Sequence, residues 1–316
     1  MRSEKINQNA QYTFKYNTSM GRHGWLRLTP AYSVRLVEEI LSELEYSPQC
    51  VLEPFSGTGT TELVCANNGV SSFALEINPF LVWLGNTKLK IYSSKKIEEF
   101  LNVAKAITEN IESYAPTELP PIYNIYRWWG EAQADFLARL KAAIKGVEND
   151  EVKQLLTVAF CRTVIELSNA AFNHVSTSFK EADDSFFSTD VGKDTYLSIC
   201  NMVAHGASIQ PLVSSKVIHH DARSIPKEYN GTYDTVITSP PYPIEFRILE
   251  NFVRTCIGQI FLKLQIKQVN WIGKQLEEPG GKLQVYYQPG KAMDHYRSTY
   301  TILPKRSLLL ITSLQD

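Results

Sequence analysis

The stretch EPFSGTGTT, residues 53–61, decides the fold class of this chain. It follows a short apolar run at 50–52 and leads into a segment with helical spacing at 60–68. A second apolar run at 73–75 ends at Glu76. A strand, a Gly-rich turn, a helix and another strand in this order are typical of the beginning of an α/β domain with a parallel sheet. We therefore predict an α/β fold.

Helical segments interrupt the predicted sheet after about residue 90. Apolar residues recur with helical spacing in four segments: 96–114, 131–147, 151–172 and 194–205. Strand-like runs return only at 217–219 and 235–237. Such an insertion is a common way for an α/β enzyme to acquire a substrate-facing subdomain.

This pattern predicts that the chain has four parts. They are a polar N-terminal arm (1–24), the first half of the α/β domain (25–95), a helical insert (96–213) and the second half of the α/β domain (214–316). The last part has an atypical C-terminus, with a helical pattern at 245–265 and strand-like runs at 283–287 and 307–311. Since sheets of this kind usually continue with three further strands, we expect this sheet to be incomplete.

The composition is that of an ordinary globular protein, with 21% charged and 44% hydrophobic residues. No apolar stretch approaches the ~20 residues that a membrane helix needs, and the polar N-terminus lacks the apolar core of a signal peptide. We therefore expect a cytoplasmic protein that does not enter a membrane. The five cysteines are scattered, which argues against disulfides and against a metal site.

The Gly-rich turn is typical of a site where backbone N–H groups approach a ligand closely. A phosphate-binding loop would need a lysine after the turn, and a dinucleotide site would need a glycine near Glu62. In an S-adenosylmethionine site, Glu53 at the end of the first strand can pair with the amine of the ligand. Glu76, at the end of the next strand, can accept from both ribose hydroxyls. Asp221, after the strand at 217–219, can accept from the adenine amine.

These motifs resemble those of S-adenosylmethionine-dependent DNA amino-methyltransferases. Residues 53–61 and 74–80 look like that family's first and second motifs, and residues 25–37 look like the helix-bearing segment that closes over the methionine end of the cofactor. Residues 234–242, DTVITSPPY, resemble its catalytic motif. The resemblance implies a Rossmann-like fold and S-adenosylmethionine as cofactor. It also implies a cofactor site formed by Glu53, Phe55, Ser56, Gly57, Thr58, Gly59, Glu76 and Asp221.

The chemistry of amine methylation explains the residue types of the catalytic motif. The lone pair of an exocyclic base amine is delocalised into the ring, so the amine is a poor nucleophile. The Ser239 hydroxyl and the Pro240 carbonyl can both accept from the amine and localise its lone pair, and Pro240 and Pro241 stiffen the loop that aims them. Tyr242 offers a face on which an extruded base can stack. The methyl group is then transferred by direct displacement.

The target base follows from the first position of the same motif. Serine preceded by Thr238 is the form usual in N4-cytosine enzymes, whereas N6-adenine enzymes more often carry Asp or Asn there. Methylation of a cytosine ring carbon needs a cysteine that typically follows a proline, and no cysteine of this chain does. We expect N4 methylation of cytosine in duplex DNA, alongside a cognate restriction endonuclease. The alternatives are an N6-adenine enzyme, an RNA or protein amine methyltransferase, and an inactive remnant.

Candidate DNA contacts come from scattered basic residues and from the helical insert. With a formal net charge of −1, the protein needs a local basic face to bind DNA. Candidate basic residues are Lys15, Arg22, Arg27, Arg35, Lys263, Lys267 and Lys274. In the insert, the paired tryptophans at 128–129 are expected in the core. The resemblance implies DNA-contact candidates at Asn173, His174, Ser178 and Lys180.

Overall fold

The computed structural model describes residues 14–26, 31–171, 178–179, 187–229, 231–238 and 307–310. In chain order the helices are α1 (Phe14–Asn17), α2 (Val34–Glu43), α3 (Thr60–Asn67), α4 (Pro79–Leu89), α5 (Ser94–Glu109), α6 (Ile125–Trp128), α7 (Glu131–Lys145), α8 (Asp150–Glu166) and α9 (Thr189–Ser208). Short 3-10 helices span Gly21–Gly24, Ile111–Ser113 and Lys227–Tyr229. The strands are β1 (Cys50–Glu53), β2 (Ser71–Glu76), β3 (Ala170–Ala171), β4 (Ser178–Phe179), β5 (Ser215–His219), β6 (Thr235–Thr238) and β7 (Ser307–Leu310).

Five of these strands form one sheet in the order β5-β2-β1-β6-β7, and every neighbouring pair is parallel. The carboxyl ends of the strands therefore lie along one edge. Chain order reverses at β1, which has β2 on one side and β6 on the other. In such sheets ligands bind outside the carboxyl ends at this switch point. The protein has the predicted Rossmann-like α/β fold, and the predicted strand at 307–311 is confirmed as β7.

Local sequence signals explain where most of the helices begin. Ser33, Asn78, Ser93, Asn149 and Ser188 precede α2, α4, α5, α8 and α9, and each side chain accepts a hydrogen bond from a backbone N–H of the first turn. The predicted helices at 60–68, 96–114, 131–147 and 194–205 correspond to α3, α5, α7 and α9. The helix predicted at 151–172 ends earlier, at Glu166, because the chain turns into the β3–β4 hairpin.

Helix α4 is the longest element that the sequence pattern did not reveal. Its buried residues Phe80, Leu81, Leu84, Thr87 and Lys88 lie along one stripe, but this stripe contains two polar residues, while the apolar Val82 and Trp83 are only half-buried. Gly85 lets the helix pack closely on the sheet, since an added Cβ would lie 2.7 Å from a methyl carbon of Val217. Because polar residues lie on its buried side and apolar residues on its other side, this helix has no clear amphipathic period to detect.

The helices between β2 and β5 share one hydrophobic core with the residues before α2. The largest hydrophobic cluster includes Trp25, Phe80, Phe100, Leu156 and Tyr196, which come from five separate parts of the chain. Trp129 is buried in this cluster and donates from Nε1 to the Val164 carbonyl at 2.8 Å. The expectation that the tryptophan pair lies in the core is confirmed for Trp129, while Trp128 is half-buried against it.

Residues 14–24, the described part of the segment expected to be a polar arm, are folded against the helices. Arg22, a candidate for a basic DNA-binding face, is instead 3% exposed. Its guanidinium donates to the carbonyls of Gly206 (3.0 Å) and Ala207 (2.9 Å) at the end of α9, and to Lys88 (2.6 Å) and Lys90 at the end of α4. A cation that caps two helix C-termini is favoured by both helix dipoles. Burial lowers the pKa of Arg22 to about 10, so it stays charged.

Among the described residues, no helix combines the length and the apolar character needed to cross a bilayer. Four cysteines, Cys50, Cys65, Cys161 and Cys200, are free, and all but Cys50 are buried.

The Arg22→Ala substitution should lower the free energy of unfolding by about 3 kcal/mol, because it leaves several buried helix-end carbonyls without a donor. Urea unfolding followed by circular dichroism measures this loss. Lys105→Ala is the control, since Lys105 is 70% exposed and its ion pair with Glu109 is long at 3.9 Å. Its removal should change the stability by less than ~1 kcal/mol. Equal losses in the two variants would contradict the capping role of Arg22.

Candidate functional site

The Gly-rich turn lies at the carboxyl edge of the sheet, between β1 and α3. Gly57 and Gly59 have positive φ angles of 54° and 76°. Two hydrogen bonds attach the turn to β2: Ser56 N donates to the Leu75 carbonyl at 3.0 Å, and Gly57 N donates to Glu76 Oε2 at 2.9 Å. The turn is thus held to β2 through two of its backbone N–H groups, beside the switch point of the sheet.

Glycine at position 59 is required by a close backbone approach. A Cβ added to Gly59 would lie 3.3 Å from the Cα of Gly85 in α4 and 3.7 Å from Glu62 Oε2. The same glycine is the residue that precedes α3, and its left-handed conformation is rarely adopted by residues with a side chain. Packing and conformation therefore select the same residue type.

Glu53 ends β1 with its side chain fully buried. Its Oε1 accepts from Thr238 Oγ1 at 2.6 Å and from Phe55 N at 3.0 Å. Its Oε2 accepts from the Tyr32 hydroxyl at 3.0 Å and from Thr61 Oγ1 at 3.1 Å. Four donors thus lie within reach of the roughly four acceptor positions of a carboxylate, and the Tyr32 and Thr61 hydroxyls also contact each other. Glu53 thus joins the turn to α3, to the end of β6 and to the segment before α2.

A second buried carboxyl, Glu62, lies on the first turn of α3, and neither of its oxygens has a hydrogen-bond partner within ordinary distance. Burial, and next the charge of Glu53, raise the pKa of Glu62 to about 8. Burial raises the pKa of Glu53 to about 7, against the opposing effect of its four donors. The buried Lys88 ammonium donates to the Thr58 carbonyl at 2.8 Å, and burial lowers its pKa to about 8. Beneath the turn, the charged form of each group is therefore disfavoured.

Glu76 and Asp221 follow neighbouring strands, as predicted. Glu76 ends β2, where Oε1 accepts from Asn78 N at 2.7 Å and Oε2 accepts from Gly57 N. Asp221 lies two residues beyond β5, and its carboxylate pairs with Arg223 at 2.5 Å. The hydrogen bonds from Arg223 lower the pKa of Asp221. Ile77, next to Glu76, is 48% exposed, so an apolar side chain is accessible beside the acid.

The remaining predicted residues divide into described and undescribed ones. Phe55 is half-buried, Ser56 is buried, and Thr58 is buried with its hydroxyl 3.2 Å from that of Thr60. The catalytic candidates Ser239, Pro240, Pro241 and Tyr242 lie outside the described residues, as do Asn173, His174 and Lys180. Ser178 belongs to β4. The structure therefore brings together the candidates for the cofactor, while those for catalysis stay predictions.

Sequence reasoning missed the partners of Glu53. Thr61 is part of the quoted turn, and Tyr32 lies in the segment that the resemblance marks, but no spacing rule connects either hydroxyl with Glu53. Thr238 enters the sequence prediction only as the residue before Ser239. The one available signal was that a charged residue directly after an apolar run needs partners if its strand is buried.

No family model matches this chain. It is similar to several curated proteins at low identity. It is 23% identical to the Type II methyltransferase M.MvaI of Kocuria varians over 271 residues, covering 76% of this chain and 58% of the relative. It is 28% identical to the Type II methyltransferase M.AvaI of Nostoc sp. over 92 residues, covering 29% of this chain and 19% of the relative. It is 27% identical to the Type II methyltransferase M.BsoBI of Geobacillus stearothermophilus over 113 residues, covering 35% and 21%.

This chain is similar to Type II methyltransferases. It spans between about a fifth and three fifths of the length of the relatives described above. The match to M.MvaI covers three quarters of this chain, so the similarity extends well beyond the Gly-rich turn.

The Gly59→Ala substitution should destabilise the protein more than Gly69→Ala. Both glycines have φ of 76°, but an added Cβ at Gly69 meets nothing within 4 Å. We expect a loss of about 1 kcal/mol for Gly69→Ala from conformational strain alone, and a clearly larger loss for Gly59→Ala. Urea unfolding of the two variants measures the difference. Equal losses would mean that α4 yields to the added methyl group without cost.

The stability of the protein should fall as the pH rises from 6.5 to 8. A folded-state pKa that lies above the unfolded value of 4.5 means that the folded state binds more protons in this window, so stability decreases with pH. Two buried bases oppose this fall at the ends of the window, because the unfolded state binds more of their protons: His23 near pH 6.5, with its pKa lowered by burial to about 3, and Lys88 near pH 8, with its pKa lowered to about 8. Each carboxyl adds a slope of up to ~1.4 kcal/mol per pH unit.

Glu62→Gln should flatten this dependence by removing one of the two carboxyls. Urea unfolding at several pH values gives the slope, and Glu109→Gln, at a position 60% exposed, serves as the control. A slope that is unchanged in Glu62→Gln would show that Glu62 is not the protonated group.

Proposed function

We propose that this protein is an S-adenosylmethionine-dependent DNA methyltransferase that methylates the exocyclic N4 amine of cytosine in duplex DNA. The observation that carries the proposal is the arrangement at the switch point. There a Gly-rich turn, Glu76 and Asp221 lie at the carboxyl ends of adjacent parallel strands, and the SPPY sequence begins directly after β6. The similarity to Type II methyltransferases supports the same reaction class.

The described residues suit the adenosine part of the cofactor. The exposed Ile77 side chain offers an apolar surface for a flat base, and the Glu76 carboxylate at its side suits ribose hydroxyls. Asp221 suits the adenine amine, and its present partner Arg223 is 69% exposed, so this ion pair lies near solvent and costs little to rearrange. The Gly57 and Gly59 backbone keeps side chains away from the turn. When bound, the cofactor supplies an electrophilic methyl group on sulfur.

The residues after β6 prepare the base. In this proposal the target cytosine leaves the duplex and stacks on Tyr242. Its amine donates to the Ser239 hydroxyl and the Pro240 carbonyl, which draws the nitrogen toward tetrahedral geometry and makes its lone pair available. Pro240 and Pro241 restrict the backbone so that both acceptors are aimed before the base arrives. Catalysis thus depends on positioning and needs no covalent intermediate.

The biological setting follows from the substrate and from the named relatives. Type II relatives support a role in restriction-modification, beside an endonuclease that cuts the same DNA sequence. Since the substrate is DNA, we place the protein in the cytoplasm.

Ser239→Ala should lower methyl transfer by roughly 100-fold or more while the affinity for S-adenosylmethionine stays within about twofold. The amount of product is measured by mass spectrometry of nucleosides from DNA incubated with protein and cofactor. Calorimetry gives the affinity. Ser208→Ala, at the exposed end of α9, is the control and should retain full activity.

The nucleoside that the wild-type protein forms decides the target. N4-methylcytosine supports the proposal, and N6-methyladenine would assign the same site to the other base. Methylated RNA or protein in place of methylated DNA would contradict a DNA substrate. Binding of the cofactor without any product would identify an inactive relative.

A further inference from the structure

The hydrogen bonds and the burial of Glu53 close its carboxyl to a ligand. Donors from four parts of the chain lie within hydrogen-bond distance of its two oxygens, the Tyr32 and Thr61 hydroxyls also contact each other, and the residue is 0% exposed. A cofactor amine could reach this carboxyl only by displacing one of those donors. The expected pairing between Glu53 and the cofactor therefore has no place in this geometry.

The bond to Thr238 has a particular location in the sheet. Backbone pairing between β1 and β6 ends at Leu52 and Val236, one residue before Glu53 and two before Thr238. The described residues form no further backbone pair between β1 and β6 beyond that point. The 2.6 Å bond from Thr238 Oγ1 to Glu53 Oε1 connects them where the ladder has stopped, and it is the shortest of the four.

Thr238 is well suited to pass this constraint to the next residues. It is 3% exposed, it is the last residue of β6, and Ser239 follows it directly. A β-branched side chain has few rotamers, so fixing its hydroxyl also fixes the backbone that carries it. The glycine part of the cofactor turn, by contrast, is attached to β2 through Gly57 and Glu76, while Phe55 N at its beginning shares Glu53 Oε1 with Thr238.

We infer that Glu53 is a positioning residue that holds the beginning of the Ser239–Tyr242 loop through Thr238, and that it does not bind the cofactor. Tyr32 and Thr61 fix the carboxyl from the other side, so the loop is positioned relative to the turn and to the segment before α2. This inference rests on the proposed function. It separates two tasks: Glu76 and the turn hold the cofactor, while Glu53 aligns the acceptors for the base.

Thr238→Val tests the inference, because it keeps the shape of the side chain and removes the hydroxyl. We expect kcat to fall by roughly 10- to 100-fold, since a small displacement of the acceptors is enough to misalign the reacting atoms. The Kd for S-adenosylmethionine should stay within about twofold. Thr238→Ser retains the hydroxyl and should restore most of the activity.

Thr235→Val is the matched control. Thr235 lies in the same strand and is 0% exposed, but its hydroxyl bonds with Tyr46 (2.9 Å) and Asp234 (3.0 Å) at the other end of β6. Its replacement perturbs the strand to a similar degree without touching Glu53. Activity should remain close to that of the wild type. A similar fall in kcat in both valine variants would reduce the role of Thr238 to strand stability and overturn the inference.

Hydrogen exchange provides a readout that does not depend on activity. In the protein without cofactor or DNA, the amides of Ser239 and Tyr242 should exchange faster in Thr238→Val than in Thr235→Val or the wild type. Unchanged exchange in Thr238→Val would overturn the inference. So would a fall in cofactor affinity of tenfold or more in Glu53→Gln while Thr238→Val binds normally, because that result assigns the carboxyl to the cofactor. If the wild type methylates no base, the proposed function fails, and exchange and affinity still judge the role of Glu53.

Discussion

The buried carboxyl of Glu53 is the point on which the candidate site depends. Its four hydrogen bonds reach Tyr32 before α2, Phe55 in the turn, Thr61 in α3 and Thr238 at the end of β6. An acid buried in this way is costly unless its acceptors are filled, and each filled acceptor fixes one more segment. The bonds therefore do more than offset burial, because they define how four parts of the chain meet at the switch point.

The sheet edge sets where chemistry is possible. Parallel strands place Glu53, Glu76 and Thr238 at the same edge, and Gly57 and Gly59 adopt the left-handed conformation in the turn after β1. Around the turn, the buried Glu62 and Lys88 both have pKa values shifted toward their neutral forms. A region of low polarity beneath the turn strengthens any electrostatic contact made there. The candidate site thus combines a backbone held by hydrogen bonds with buried groups whose charged forms are disfavoured.

The helices between β2 and β5 are connected to the candidate site through the residues before α2. Arg22 connects the ends of α4 and α9 through backbone carbonyls, and Trp25 belongs to the same hydrophobic cluster as the helices of the insert. Arg22 and Trp25 thus contact the helices, while Tyr32 bonds to Glu53. These contacts with the helices explain why Arg22 is buried although the stretch that contains it is polar in sequence.

Sequence alone determined the order of the strands in the chain, the Gly-rich turn, the acids Glu76 and Asp221, and most helix starts, because these features depend on residues within a few positions of each other. Tertiary structure decided the partners of Glu53, the burial of Arg22 and the existence of α4. Tyr32 and Thr238 lie 21 and 185 positions from Glu53, and Arg22 lies 184 positions from Gly206. Contacts at such separations leave no periodic trace in the sequence, since they arise only when the sheet brings distant strand ends together.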